Sequence, residues 1–422
     1  MSWDDFSRKS LLRLIIRENS VYKKSETVSQ TNGLAKKAAV TIFTLILLGS
    51  VFYFRAVKEF ERQKDGQTNF FVFWLSGNLI SKGESPYNSA SWSEGHKANG
   101  YGNPAEPIFL YPLPLAVFLT PVGWLTFAQA FVGWKIISQA LIAITILILL
   151  SHWQLPAHQR LFIPLVLGML YFGPVLLSLR TGSIGAFTLL IACIAIMMLE
   201  KDKSFLAGLL LSLTLFKPPQ GMVILLLVGI WSLARRDWTL IQGVFLGGII
   251  LWIIGASIDL NWVGKFLHSG EAAFDRRLGF HSNVWSFSYV VCSKNLICTY
   301  SLGSASALCL LGLSGFYLWK NQSQLAAWNA LNLIIPIGFV STVYLWAYDQ
   351  ILYIIPIVWI VGTLVLKTKS YVHAFLFLMI LVFYAFFAVG KLSETSHDLW
   401  SLGNTLIVLL GLFIANTLKQ KQ

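Results

Sequence analysis

The stretch N-F-F-V-F-W-L-S-G-N-L-I-S-K-G-E-S-P-Y runs from Asn69 to Tyr87. A polar, Gly- and Ser-rich passage follows, and then F-L-Y-P-L-P from Phe109 to Pro114. This segment lies between a first apolar run at about 39–56 and a long series of hydrophobic helices. In such a chain, function is expected where polar, aromatic and Pro/Gly-punctuated sequence meets the bilayer.

The chain has 422 residues, of which 56% are hydrophobic and only 12% charged, with a mean hydropathy of +0.66. A soluble domain carries roughly 25% charge. Apolar runs near 20 residues recur along the chain, each long enough to cross about 30 Å of hydrocarbon. The fold class read from this is an all-α polytopic membrane protein. Barrel strands would alternate over about 10 residues instead of running apolar.

The net charge of +13 fits an excess of Lys and Arg on the cytoplasmic side and contact with anionic membrane lipids. No basic stretch is interleaved with aromatics, so nucleic acid is not an expected partner.

Residues 1–38 read as a basic cytoplasmic tail, and residues 39–418 as one transmembrane domain. Within it, 57–126 is an outer loop with a proline-broken segment, and 258–300 is a second outer loop. Short basic joins at Lys201/Lys203, Arg235/Arg236, Lys320, Lys367/Lys369 and Lys419/Lys421 are assigned to the cytoplasm. The segment 109–125 is interrupted by Pro112, Pro114 and Pro121, so it is read as not crossing. About twelve spans remain, in a multi-pass inner-membrane protein with both termini cytoplasmic. The first outer loop is expected to carry short interfacial helices.

Ionisable residues near membrane depth are the default functional candidates. Arg180, in L-R-T-G-S-I-G, ends one span. Lys217 ends another, and Pro218 and Pro219 stop its helix. A buried ammonium needs an anion, and a lipid phosphate is one; the alternative is a lysine that snorkels at a helix end. Arg276 and Arg277 either clamp a phosphate or form a solvated loop face. In H-S-N-V-W-S-F-S-Y, His281, Asn283 and Trp285 are candidate substrate contacts; Trp285 and Phe287 either stack on a sugar or anchor in the interface. In Y-L-W-A-Y-D-Q, Asp349 binds a hydroxyl or pairs with Arg180 or Lys217; Tyr348 and Gln350 flank it. Lys135 is read as packed or snorkelling. Cys292 and Cys298 share the second outer loop and either pair or stand as two small apolar residues. There is no nucleotide-binding loop, nucleophile elbow or metal-ligand cluster, so no metal site or cofactor is expected.

The chain resembles the polyprenol-phosphate-mannose-dependent glycosyltransferases of family 87, which have the GT-C membrane fold. The resemblance rests on F-x-V-F-W-x-S-G at Phe70–Gly77, G-x-x-P-Y at Gly83–Tyr87, F-L-Y-P-L-P and T-P-V-G-W-L at Thr120–Leu125. It also rests on R-T-G-S at Arg180–Ser183, A-G-L-L-L, K-P-P at Lys217–Pro219 and Y-D-Q at Tyr348–Gln350. It implies inverting transfer of a hexose, mannose above all, from a polyprenyl-phosphate-sugar to a lipid or glycan acceptor on the outer face. Trp74, Tyr87 and Tyr111 then join the candidate substrate contacts, and Arg180, Lys217, Arg276 and Arg277 the donor-phosphate contacts.

The family's acidic base stands eighteen positions before the P-Y tyrosine, where this chain has Asn69. Asparagine cannot accept a proton at useful pH. Asp65, one helical turn upstream, is the expected replacement. Glu84 is the weaker candidate, since the turn at Ser85–Pro86 aims it at water. Two other readings stand beside the enzyme: a noncatalytic lipid-linked-sugar-binding relative, and a lipid-linked glycan flippase or transporter.

Overall fold

The computed structural model describes residues 57–58, 69–100, 109–153, 161–395 and 398–420, with backbone alone for 272–277, 393, 395 and 420. The chain separates into two compact units, Met1–Lys58 and Glu59–Gln422. Only the last two residues of the first are described, so the basic tail and the first apolar run lie outside the described residues, as does Asp65. The second unit holds all the elements named below.

Among the described residues the unit is all-α. Eight helical segments are long and apolar enough to cross a membrane: Phe127–His152, Phe162–Thr181, Pro218–Arg235, Trp238–Ala256, Leu296–Lys320, Ala347–Lys367, Tyr371–Leu392 and Leu399–Lys419. Gly185–Glu200, Ser204–Phe216 and Ala327–Ser341 are shorter apolar helices. These fall on eleven of the expected spans.

The segment 109–125 is broken, as its prolines require, into two short helices, α3 (Leu113–Phe118) and α4 (Thr120–Gly123). Ahead of them, α1 (Asn69–Ser81) and α2 (Ser89–Ala98) are the described helices of the first loop.

Burial decides which helices form the centre. In Ala347–Lys367, 94% of the apolar window is buried, against 17% in Leu296–Lys320. The second helix therefore leaves most of its apolar surface uncovered, which suits hydrocarbon and would be costly in water. The basic joins gather at one end of the bundle. There the Ser204 hydroxyl donates to Asp237 (2.6 Å), and Arg235 reaches the carbonyls of Gln322 and Leu325 (3.2 and 3.3 Å). Lys367 lies 5.4 Å from the Trp153 ring, which itself packs on Trp328.

At the other end α1 is fastened to the bundle. Phe70, Phe71, Phe73 and Trp74 are buried in one cluster with Phe131, Trp134, Ile184 and Phe216. Two of the sequence motifs meet here backbone to backbone. A Cβ on Gly77 would stand 2.3 Å from the Leu119 carbonyl oxygen, and one on Gly123 would stand 2.2 Å from the Asn78 nitrogen. Only glycine permits that approach. Trp74 Nε1 then donates to the Leu125 carbonyl (3.0 Å), and Asn78 Nδ2 to that of Gly123 (2.8 Å).

Candidate active site

A pocket of about 450 Å³ opens at the end away from the basic joins. Asn69 contributes from the start of α1, and Leu177 and Thr181 from the helix Gly173–Thr181. Phe280, Tyr344, Trp346 and Tyr348 form an aromatic wall, completed by Ala347, Leu392 and Asp398. Gly182 brings α1 to the helix end. It sits at φ +66° and closes Gly173–Thr181, and a Cβ there would lie 2.7 Å from that of Phe70. Its carbonyl accepts from Trp134 Nε1 at 2.9 Å. Lys135 caps the same helix end, donating to the carbonyls of Leu179 and Arg180; a lysine at a helix C-terminus also complements the helix dipole. It is packed, as one of its two sequence readings has it.

Asn69 and Tyr348 are the sequence candidates that line the pocket. The Asn69 amide nitrogen is buried beside the Tyr348 hydroxyl. Immediately behind lies the ion pair of Lys217 with Asp349, two residues left only 5% and 4% exposed. The Lys217 ammonium also lies 4.7 Å from the Tyr348 ring centre. Asp349 takes a second bond, from the Trp346 amide, at 3.0 Å. Within the protein the anion that meets Lys217 is Asp349, the pairing that the sequence offered as one reading of that carboxylate.

Several other candidates have polar atoms hydrogen-bonded within the protein, mostly to backbone. Asn283 caps the helix Val284–Val291 through Ser286 N (2.9 Å) and donates to the Thr342 carbonyl (2.9 Å). Trp285 Nε1 donates to the Ser341 carbonyl at 3.1 Å. Gln350 is fully buried between the Ser401 carbonyl and Asn404, both at 2.9 Å. The Tyr87 hydroxyl donates to the Tyr111 carbonyl at 2.6 Å. These residues and Trp74 lie outside the pocket lining and join the elements around it. Tyr111 packs on Phe73 at 4.9 Å between ring centres. His281 packs on Tyr344 and Trp346, at 4.4 and 4.9 Å, and so backs the aromatic wall. Arg180 is exposed, one residue from Thr181. Arg276 and Arg277 lie on the helix Trp262–Arg277, but their side chains lie outside the described residues. Glu84 is exposed at its turn, as expected.

Sequence reasoning missed Asp398. It is 1% exposed and lines the pocket. The Ser401 hydroxyl donates to its Oδ1 at 2.8 Å, and the Ala347 amide donates to its Oδ2. Burial pushes its carboxyl up to about 8, and the Asp349 charge pushes the same way against those two donors. The available signal was an acid directly ahead of the last apolar run, in S-H-D-L-W. Among the described residues, no three His, Cys, Asp or Glu side chains gather as a metal-binding group.

The helix Val284–Val291 leads into a disulfide, Cys292–Cys298, with Cα atoms 5.7 Å apart. This resolves the two readings of those cysteines.

Comparison with known proteins agrees with the geometry. A family model described as Glycosyltransferase family 87 matches residues 109–342, more than half of the chain. Asn69 and Asp398 lie outside the matched residues. No curated protein and no solved structure matches the chain.

Proposed function

This chain belongs to glycosyltransferase family 87, and on that premise we propose that it moves a hexose, mannose first among them, from a polyprenyl-phosphate-sugar to a lipid or glycan acceptor on the outer face of the cell membrane. The observation that carries this reading is the pocket of about 450 Å³, which joins aromatic faces to an amide and a buried carboxylate. Its volume and mixed lining suit a sugar ring and the head of its carrier. Tyr344, Trp346 and Tyr348 offer ring faces to the sugar, and the apolar helices around the pocket suit the carrier's hydrocarbon.

The chemistry asks little more of the protein. A single displacement at the anomeric carbon needs one group to take the acceptor proton, typically worth roughly 10²–10⁴-fold. The leaving group is a phosphate, which cationic side chains can hold. Arg180, Arg276 and Arg277 are proposed for that contact. Lys217 acts on the site through Asp349. The Cys292–Cys298 disulfide supports an oxidising compartment for the pocket's end of the bundle.

Purified protein in nanodiscs, given radiolabelled polyprenyl-phosphate-mannose and candidate lipid acceptors, is expected to form a new glycolipid. Binding of the carrier without a new glycosidic bond would instead support the noncatalytic relative, which Asn69 favours. Movement of the carrier across a sealed vesicle with no new bond would support the transporter.

A further inference from the structure

We propose that Asp398 is the group that takes the proton from the acceptor hydroxyl, in a pocket whose first-loop acid position is filled by Asn69; this rests on the glycosyl-transfer reading above. Among the described residues lining the pocket, Asp398 is the one carboxylate. It enters from the start of the last helix, far along the chain from α1, yet meets the same cavity as Asn69. Among the described residues, each of its oxygens has one donor, Ser401 Oγ or Ala347 N. A carboxylate has about four lone-pair sites, so capacity remains for an acceptor hydroxyl. The two donors hold the carboxylate's orientation, as a base must be held.

The other acids fit worse. Asp349 is bound to Lys217, Glu84 is exposed at a turn outside the pocket lining, and Asp65 lies outside the described residues.

Atoms balance in one step. The acceptor O–H bond breaks and its proton passes to the Asp398 carboxylate. The oxygen's electron pair forms the new bond to the anomeric carbon. The bond from that carbon to the carrier's phosphate oxygen breaks, and polyprenyl phosphate leaves with those electrons. The buried Asn69 amide lines the same pocket and would donate to the acceptor oxygen. It would position the acceptor without taking its proton.

The titratable groups around Asp398 are Asp349 with Lys217 upon it, Tyr344 and Tyr348 in the pocket wall, and His281 next to Phe280. With its carboxyl pushed up to about 8, Asp398 is mostly protonated at neutral pH and gains its basic form above that. The rate should therefore climb as pH rises through about 8.

The test uses the full chain in nanodiscs, with the labelled carrier and an acceptor that the wild type glycosylates. Asp398→Asn is expected to lower kcat by roughly 10²–10⁴-fold with carrier affinity unchanged. Asp398→Glu should keep part of the rate, with its pH limb displaced. Asp398→Asn at wild-type kcat overturns the proposal. So does the same alkaline limb surviving in Asp398→Glu, or Asp65→Asn abolishing transfer while Asp398→Asn still turns over. If Asp398→Asn does not fold, the pH profile of Asp398→Glu decides. A wild type that forms no product with any acceptor overturns the glycosyl-transfer reading and this inference together, and is told apart by the wild-type control.

Discussion

Lys217 and Asp349 stand 132 positions apart and meet as a buried ion pair behind the pocket. Removing one partner of such a pair leaves an uncompensated charge, while replacing both is often neutral. Lys217→Gln alone is therefore expected to destabilise the protein by roughly 3–5 kcal/mol, and Lys217→Gln with Asp349→Asn to recover most of the loss. Thermal unfolding in detergent reads both. A single variant as stable as the parent would show that Asp349 needs no counter-charge. The same double variant should still bind the carrier, because the phosphate contacts are proposed for Arg180, Arg276 and Arg277. Loss of carrier binding in a folded double variant would return Lys217 to the phosphate.

At the scale of elements, the pocket depends on α1 being held against the end of Gly173–Thr181. Gly182 makes that junction: its φ is +66° and Phe70 fills the space a side chain would need. A residue with a Cβ there carries backbone strain on the order of 1–3 kcal/mol and also pushes α1, with Asn69, away from Thr181. Gly182→Ala is thus expected to lower both the unfolding temperature and the transfer rate. Gly133→Ala is the control. That glycine lies inside Phe127–His152, and a Cβ added to it would meet nothing within 4 Å, so alanine should stabilise the helix by roughly 0.5–1 kcal/mol. Equal effects from the two variants would remove the special role given to Gly182.

For the whole molecule, the basic joins collect at one end of the bundle, and the pocket lies at the other. If the basic end is cytoplasmic, the exposed residues Glu84 and Arg236 face opposite compartments. In a background lacking Cys193 and Cys309, a cysteine at position 84 should react with a membrane-impermeant maleimide on intact cells, and one at position 236 only after lysis. Labelling of position 236 from outside would reverse the orientation and put the pocket in the cytoplasm, against the disulfide at Cys292–Cys298.

Composition and the recurrence of apolar runs determined the membrane class and the helical fold, because length and hydropathy are local properties of each segment. The breaks were legible too: Pro112, Pro114 and Pro121 interrupt one segment, and Pro218 and Pro219 end the short helix ahead of Lys217. The motifs carrying the family resemblance were visible as well, but not why Gly77 and Gly123 belong together. Their backbones touch across 46 residues of chain, and nothing local announces that. The candidate site was legible only in part. Asn69, Tyr348, Lys217 and Asp349 stand at or behind the pocket, whereas Asn283, Trp285 and Gln350 make their hydrogen bonds within the protein, away from the pocket lining. Polar residue types look alike in sequence whether their hydrogen bonds go to the protein or to a ligand. Asp398 was missed for the converse reason. It reads as an ordinary loop acid, and only packing against Ala347, Ser401 and Asp349 buries it, raises its carboxyl and turns it toward the cavity that α1 closes.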